Sequence, residues 1–159
     1  TDDLMLRFAG SYNDAVLGEA FWTDLEDKDG GEPPTASAGA QMPYVPEVKM
    51  TATGRLQMNY GSMPGYIQAA VSFTDDSWTR LHDSDRQVQN AYTIVNLSTG
   101  IQGDAWSLDL FIDNATDERA ELSRNHGSYY DPLDVLFWDT NLTVNRPRSI
   151  GLRYGHRFQ

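Results

Sequence analysis

The chain contains no cysteine, which excludes both a disulfide framework and a metal site built on thiolates. It has no apolar run near the roughly 20 residues that a membrane-spanning helix requires. Basic residues are scarce: 12 Lys and Arg against 23 Asp and Glu give a formal net charge of −11. So acidic a chain offers no basic stripe to displace counterions from phosphates, and we therefore expect no nucleic-acid partner.

Recognisable catalytic motifs are also missing. The chain has no Gly-x-Ser-x-Gly, no His-Glu-x-x-His and no phosphate-binding glycine loop. His82, His126 and His156 are scattered, without the close spacing of a metal-ligand set. The acidic stretch 19–32 fits a hydrated loop better than a calcium loop, because its glycines fall out of the calcium-loop register. The sequence therefore predicts a protein that is not an enzyme and uses no cofactor or metal.

Apolar and polar residues alternate with period two along most of the chain, a pattern typical of β-strands with one apolar face. The longest alternating run, Val48–Tyr60, would extend over ~43 Å at ~3.3 Å per residue. Tilted by about 45°, this length projects onto ~30 Å, the thickness of bilayer hydrocarbon. Strands of soluble proteins usually have only about five or six residues, so the length of Val48–Tyr60 favours a membrane barrel. Further alternating runs begin at Leu4, Tyr66, Thr93, Trp106 and Arg148.

The connections between these six predicted strands alternate between short and long. Met63-Pro64-Gly65 predicts one tight turn and Gln102-Gly103-Asp104 another. The long polar connections cover roughly 17–46, 75–90 and 115–147. Outer-membrane barrels have such short periplasmic turns and long extracellular loops. We therefore predict an all-β fold: a segment of an antiparallel up-and-down transmembrane β-barrel with about six long strands, incomplete because about eight strands are the practical minimum.

The alternation also predicts what each face of the sheet meets. On the closing strand, the residues expected to face lipid are Ile150, Leu152, Tyr154 and Phe158. The charges expected to face a water-filled lumen are Arg7, Lys49, Arg55, Asp109, Arg153 and Arg157. An arginine facing lipid costs ~2–4 kcal/mol at mid-membrane, which enforces this sorting. Asp109 and Arg153 are predicted to pair across adjacent strands.

Four aromatic residues of the last long connection, Tyr129, Tyr130, Phe137 and Trp138, are candidate ligand contacts. Flat amphipathic side chains on an outer loop suit a ring-bearing ligand. Packing among loops or an aromatic belt at the membrane edge is the favoured interpretation of the same residues. Both interpretations stay open.

Several segments follow one another in a recognisable order along nearly the whole chain. They are Ser11–Ala15, Met42–Glu47, Ala91–Leu97, the turn at Gly103-Asp104, Trp106–Asn114, Ala115–Leu122 and Arg146–Arg153. Together they resemble the C-terminal part of the barrel of a TonB-dependent outer-membrane receptor. The end of the chain departs from that family, which usually closes on an aromatic residue: here Gln159 follows Phe158, and His156 stands where an aromatic is more usual.

The resemblance implies a receptor in the bacterial outer membrane that takes up a scarce nutrient, with a ferric siderophore as the expected cargo. The implied partners are outer-membrane lipid, the barrel-assembly machinery, and TonB acting through an N-terminal plug. Family members have that plug and a barrel of about 22 strands. Residues 1–159 would then be the C-terminal portion of the barrel, without the plug and the N-terminal strands. Two other functions stay open: a soluble β-sandwich module that binds glycans, and a passive porin-like barrel.

Overall fold

The computed structural model describes residues 3–84, 86–130 and 136–158, with the side chains at 25, 27, 125–130 and 136–139 left aside. Within these ranges the chain is almost entirely β-structure, with one short helix, α1, at Leu25–Gly30. The strands are β1 (Leu4–Tyr12), β2 (Val48–Tyr60), β3 (Met63–Thr74), β4 (Ser77–Trp78), β5 (Val88–Gln89), β6 (Tyr92–Gln102), β7 (Trp106–Asp113), β8 (Glu121–Tyr130), β9 (Leu136–Val144) and β10 (Ser149–His156). No helix in the described ranges has the length and apolar character needed to cross a bilayer.

Six strands form one antiparallel sheet in the order β1-β2-β3-β6-β7-β10. Each strand of this sheet pairs with the next one along the chain, so the long connections all leave from one end of the sheet. The predicted all-β fold with six antiparallel strands is confirmed. The sheet is not closed into a barrel, because β1 and β10 are its two edges.

The turn between β2 and β3 comes earlier than the sequence suggested. Met63-Pro64-Gly65, predicted to be the turn, are the first residues of β3, and Met63 pairs with Tyr60. Gly61 adopts a φ of +67°, a left-handed conformation that glycine reaches without strain. The chain therefore reverses over Gly61 and Ser62 alone. The second short connection, at 103–105 between β6 and β7, lies where it was predicted.

The strand registers place apolar residues opposite apolar ones and polar residues opposite polar ones over most of the sheet. Residues directly opposite each other in an antiparallel pair point to the same face. Leu110 lies opposite Thr99 on β6 and Leu152 on β10, and all three belong to the apolar face. Asp109 lies opposite Gly100 and Arg153 on the other face. The sheet thus has one apolar and one polar face along its full width.

The apolar face is uncovered. Phe8 on β1 is 77% exposed and Leu152 on β10 is 67% exposed, and Ile67 on the central strand β3 is still 47% exposed. In the described part of the chain, the buried hydrophobic residues are three alanines of the long connections, Ala36, Ala40 and Ala120. A β-sandwich would bury such a face against a second sheet, and the described residues form no such core.

The long connections contain local structure that the alternation did not predict. The first carries α1 and isolated bridges between Val16 and Gln41 and between Phe21 and Ala36. The second contains the small sheet of β4 and β5, and the third contains the β8–β9 pair. The third connection, expected to be a polar loop over 115–147, is therefore largely an antiparallel strand pair.

Asn114 fixes the start of this third connection to the sheet. Its side chain is 3% exposed, and its φ of +51° is tolerated by asparagine better than by most residues. Its Nδ2 donates to the carbonyls of Glu118 and Arg146, and its Oδ1 accepts from the Glu118 amide, all at 2.9 Å. Its own amide donates to Asn96 Oδ1 at 2.9 Å. Both ends of the connection are thereby held together.

We predict that Asn114→Ala loosens this anchor by about 1–3 kcal/mol, because buried backbone groups lose their partners. Asn114→Gly is the matched control, since it removes the side-chain hydrogen bonds without straining the positive φ. The measurement is hydrogen exchange of the Glu118 amide, expected to be about tenfold faster or more in both variants. An unchanged exchange rate in Asn114→Gly would show that the side chain does not hold the connection.

Candidate functional site

The polar face of the sheet carries two adjoining pockets, of about 300 and about 590 Å³. The smaller one lies towards the short connections, and its lining includes Pro64 and Gln102. The larger one extends across the middle of the sheet to β10. Arg55, Tyr66 and Asp109 line both pockets. This concave surface is the candidate site.

Arg55, Tyr66 and Asp109 form one network across four strands. The Arg55 guanidinium carbon lies 3.6 Å from the centre of the Tyr66 ring, a close cation–π contact. The Tyr66 hydroxyl donates to Asp109 Oδ1 at 2.7 Å. Gly100 on β6 makes this reach possible, since a Cβ there would meet both the Tyr66 ring and the Asp109 carboxylate. The network therefore depends on a glycine on the strand between its members.

Phe111 and Arg153 repeat this arrangement at the β7–β10 boundary. Gly151 lies directly opposite Phe111, and a Cβ at position 151 would overlap the Phe111 ring. The tip of the ring consequently lies close to the β10 backbone at Gly151. The Arg153 guanidinium carbon is 5.7 Å from the centre of this ring. Each pairing places an arginine over an aromatic ring that lies on a glycine of the next strand.

The predicted pair of Asp109 and Arg153 is present in the register but not as an ion pair. The two residues lie directly opposite each other on β7 and β10. Among the ion pairs of the described residues, none joins them. Both side chains have other partners instead: Asp109 Oδ1 accepts from the Tyr66 hydroxyl, and the Arg153 guanidinium lies over the Phe111 ring.

The structure distributes the other predicted residues over the sheet and its margins. Arg7 and Lys49 lie opposite Thr53 and Ser11 on the same polar face as Arg55. Arg157 follows the end of β10, and its amide donates to the Ala105 carbonyl at 2.8 Å. The four residues assigned to lipid are all exposed: Ile150, Leu152 and Tyr154 on β10, and Phe158 beyond its end.

The four candidate ligand aromatics are placed by their backbone only. Tyr129 and Tyr130 belong to β8, and Phe137 and Trp138 belong to β9. The register sets Tyr129 opposite Phe137, which brings two of the four positions together. Their side chains lie outside the described residues, so their role as ligand contacts stays a prediction.

Sequence reasoning missed Tyr66 and Phe111 as parts of the site. A signal was present: Phe111 interrupts the polar side of β7, between Asp109 and Asp113. An aromatic residue among polar ones indicates a partner across the strand. Its partner, Gly151, is identifiable only when the β7–β10 register is known. Among the described residues, no group of three His, Cys, Asp or Glu side chains could hold a metal ion.

The long connections also contact one another. The Tyr44 hydroxyl donates to the Arg124 carbonyl at 2.7 Å and accepts from the Arg124 amide at 3.2 Å. The Tyr44 amide donates to the Trp78 carbonyl at 2.8 Å. Arg124 also forms an ion pair with Glu121 at 2.7 Å. Tyr44 thus links all three long connections at one end of the sheet.

A second link joins the first two connections at Ser37 and Asp83. Asp83 Oδ2 accepts from the Ser37 hydroxyl at 2.7 Å and from the Ser37 amide at 3.0 Å. These hydrogen bonds, chiefly the one from the hydroxyl, lower the pKa of Asp83 from its ordinary value. Arg86, 3.5 Å from Asp83, acts in the same direction.

We predict that this link opens in acid. Because the folded pKa is lowered, its contribution is present above the ordinary carboxyl pKa and is lost as the pH falls through the lowered one. The amide shift of Ser37, followed by NMR between pH 7 and pH 2, should titrate below the range of an ordinary aspartate. Asp83→Asn is the control and should abolish this titration. A Ser37 titration that persists in the variant would contradict the assignment.

Comparison of this chain with protein-family models, with curated proteins and with solved structures gave no match.

Proposed function

We propose that this chain forms part of the wall of a bacterial outer-membrane β-barrel that takes up a scarce nutrient with energy delivered through TonB. The expected cargo is a ferric siderophore. The observation that carries the proposal is the two-faced sheet: an uncovered apolar face on one side and a charged, pocketed face on the other. Lipid outside and water inside would match both faces.

Exposure of the apolar face supports a lipid neighbour. A side chain such as Leu or Phe gains about 1.5–3 kcal/mol when it leaves water for an apolar environment. Phe8, Ile150 and Leu152 are each more than 60% exposed, and together they belong to a face that spans six strands. Soluble monomers rarely expose apolar patches larger than a few hundred Å². The glycan-binding sandwich, which would bury this face, is therefore the less favoured function.

The free edges of the sheet support a wall that belongs to a larger barrel. Unpaired backbone groups cost several kcal/mol each in hydrocarbon, so a membrane sheet must be closed. The outer backbone groups of β1 and β10 have no strand partner in the described residues. Successive antiparallel pairings make these two edge strands antiparallel to each other, as the closure of an up-and-down barrel with an even strand number requires.

TonB dependence is the finer part of the proposal and has its support in the family resemblance alone. A passive porin-like barrel would use the same two-faced wall. The long connections at one end, linked through Tyr44 and through Ser37 and Asp83, fit a receptor whose outer loops act on the cargo together. Energy dependence of uptake separates the two functions.

The proposed wall can be tested by introducing a single cysteine at either of two adjacent alanines of β3. The chain has no cysteine of its own, so a thiol-reactive label would attach only at the introduced position. Ala69 lies on the apolar face and Ala70 on the polar face. Ala69→Cys and Ala70→Cys, each labelled with an environment-sensitive fluorophore, are compared in the full chain in phosphatidylcholine vesicles. We expect brominated acyl chains to quench the label at 69, and aqueous iodide to quench the label at 70.

Opposite quenching at the two positions is the decisive result, since the labels are only one residue apart and both replace an alanine. Equal quenching of both labels by iodide would contradict a lipid-facing apolar surface. Shielding of position 69 from both quenchers would favour a sandwich core.

Uptake tests the transport part of the proposal. In the intact protein, replacing residues 121–144 by a short Gly-Ser linker should abolish growth on a ferric siderophore as sole iron source. Asn114 and Arg146 stay in place, so the strand ends remain anchored. The same growth should be lost in a strain that lacks TonB. Growth that survives without TonB would favour the passive barrel, and growth that survives the linker would remove β8 and β9 from cargo capture.

A further inference from the structure

Charge is unevenly divided between the sheet and its connections. The six strands of the sheet contain four basic residues, Arg7, Lys49, Arg55 and Arg153, and two acidic ones, Asp109 and Asp113. The whole chain nevertheless has a net charge of −11. All six charged residues lie on the polar face. That face is therefore cationic, whereas the long connections hold most of the acidic residues.

Two of the three arginines that line the larger pocket lie over aromatic rings. Arg55 lies over Tyr66, and Arg153 lies over Phe111. A guanidinium stacked on a ring keeps its N–H groups in its own plane, free to donate sideways. It also loses less conformational freedom when it binds a ligand, because the stacking has already restricted the side chain.

The guanidiniums of Arg55 and Arg153 differ in how many of their N–H groups form hydrogen bonds with the protein. Arg55 Nη1 donates to Gln68 Oε1 at the long distance of 3.5 Å. Arg55 Nε lies 3.1 Å from the Gln57 side-chain oxygen in the amide orientation that satisfies both groups. Among the described residues, Arg153 makes no hydrogen bond and no ion pair within 4.0 Å. Arg153 lines the larger pocket, so its unused donors are available to a ligand there.

The contacts that the two rings already make indicate which class of ligand the pocket can bind. Sugars and aromatic ligands bind by stacking on open ring faces. Here the Tyr66 ring is covered by Arg55 and lies against Gly100, and the Phe111 ring lies against Gly151. What the pocket still offers is guanidinium N–H groups, together with the side-chain amides of Gln68 and Asn96 and the hydroxyl of Ser98. Such donors match carboxylate and phosphate oxygens.

We infer that the polar face binds an anionic solute through Arg55 and Arg153, which grip its carboxylate or phosphate groups in the pocket of about 590 Å³. Arg146 lines the same pocket and adds a third cation. Asp113 also lines this pocket, and Asp109 Oδ1 accepts the hydrogen bond from the Tyr66 hydroxyl. The inference rests on the proposed function in one respect: the polar face must line a water-filled lumen.

The test is calorimetric titration of the full chain in non-ionic detergent with three probes. Inorganic pyrophosphate tests phosphate, citrate tests carboxylate, and glucose is the neutral control. We expect binding of at least one anion and none of glucose. Arg153→Gln should weaken anion binding at least tenfold. Phe111→Leu should weaken it severalfold, because the ring only positions Arg153, and Arg153→Lys should restore part of the affinity.

Arg7→Gln is the matched control, since Arg7 has the same charge on the same face but does not line the pocket. It should change affinity less than twofold. An equal loss in Arg7→Gln and Arg153→Gln would overturn the site and leave only a general field of positive charge. Absence of binding by both anions would overturn it too.

Failure of this inference and failure of the proposed function are distinguishable by the quenching at positions 69 and 70. If lipid quenches the label at Ala69→Cys and iodide quenches the label at Ala70→Cys while no anion binds, the proposed wall is supported and the proposed anion site is refuted. If the quenching pattern fails, the proposed function falls whatever the titration shows.

Discussion

The fold depends on one constraint: the apolar face of the six-stranded sheet must be covered by an apolar environment. Phe8, Leu110 and Leu152 lie on that face, and nothing in the described residues covers it. Water is a poor neighbour, because each large apolar side chain costs about 1.5–3 kcal/mol when it is left exposed. A bilayer removes this cost and also permits the long strands, such as the thirteen residues of β2. The arginines of the polar face then need water on the other side.

Glycines shape the polar face. Gly100 and Gly151 leave room for the rings of Tyr66 and Phe111 to lie close to the neighbouring strand, and an arginine lies over each ring. The side-chain network around Tyr66 couples four strands by contacts other than backbone hydrogen bonds. The same packing keeps the guanidiniums close to the wall, where they define the pocket and stay within reach of a solute.

Alternation in the sequence predicts much of the fold because every strand of a two-faced sheet repeats the same code. Val48–Tyr60 is the clearest example, with its predicted and observed bounds the same. The turn at Met63-Pro64-Gly65 was misplaced because Gly61 alone supplies the left-handed conformation. Contacts between distant residues leave no periodic trace: Phe111 meets Gly151 forty positions later, and Tyr44 meets Arg124 across eighty. The rings on the polar face therefore became visible only with the register.

Intermolecular nuclear Overhauser effects between protein methyl groups and lipid acyl chains test the nature of the apolar face. The full chain would be studied in deuterated-headgroup nanodiscs, with methyl labels on isoleucine, leucine and alanine. Ile67, Leu110 and Leu152 should show effects to acyl-chain protons, whereas Ala70 and Ile94, on the polar face, should show none. The lipid-facing wall would be contradicted if the methyls of Ile67, Leu110 and Leu152 contacted only other protein protons.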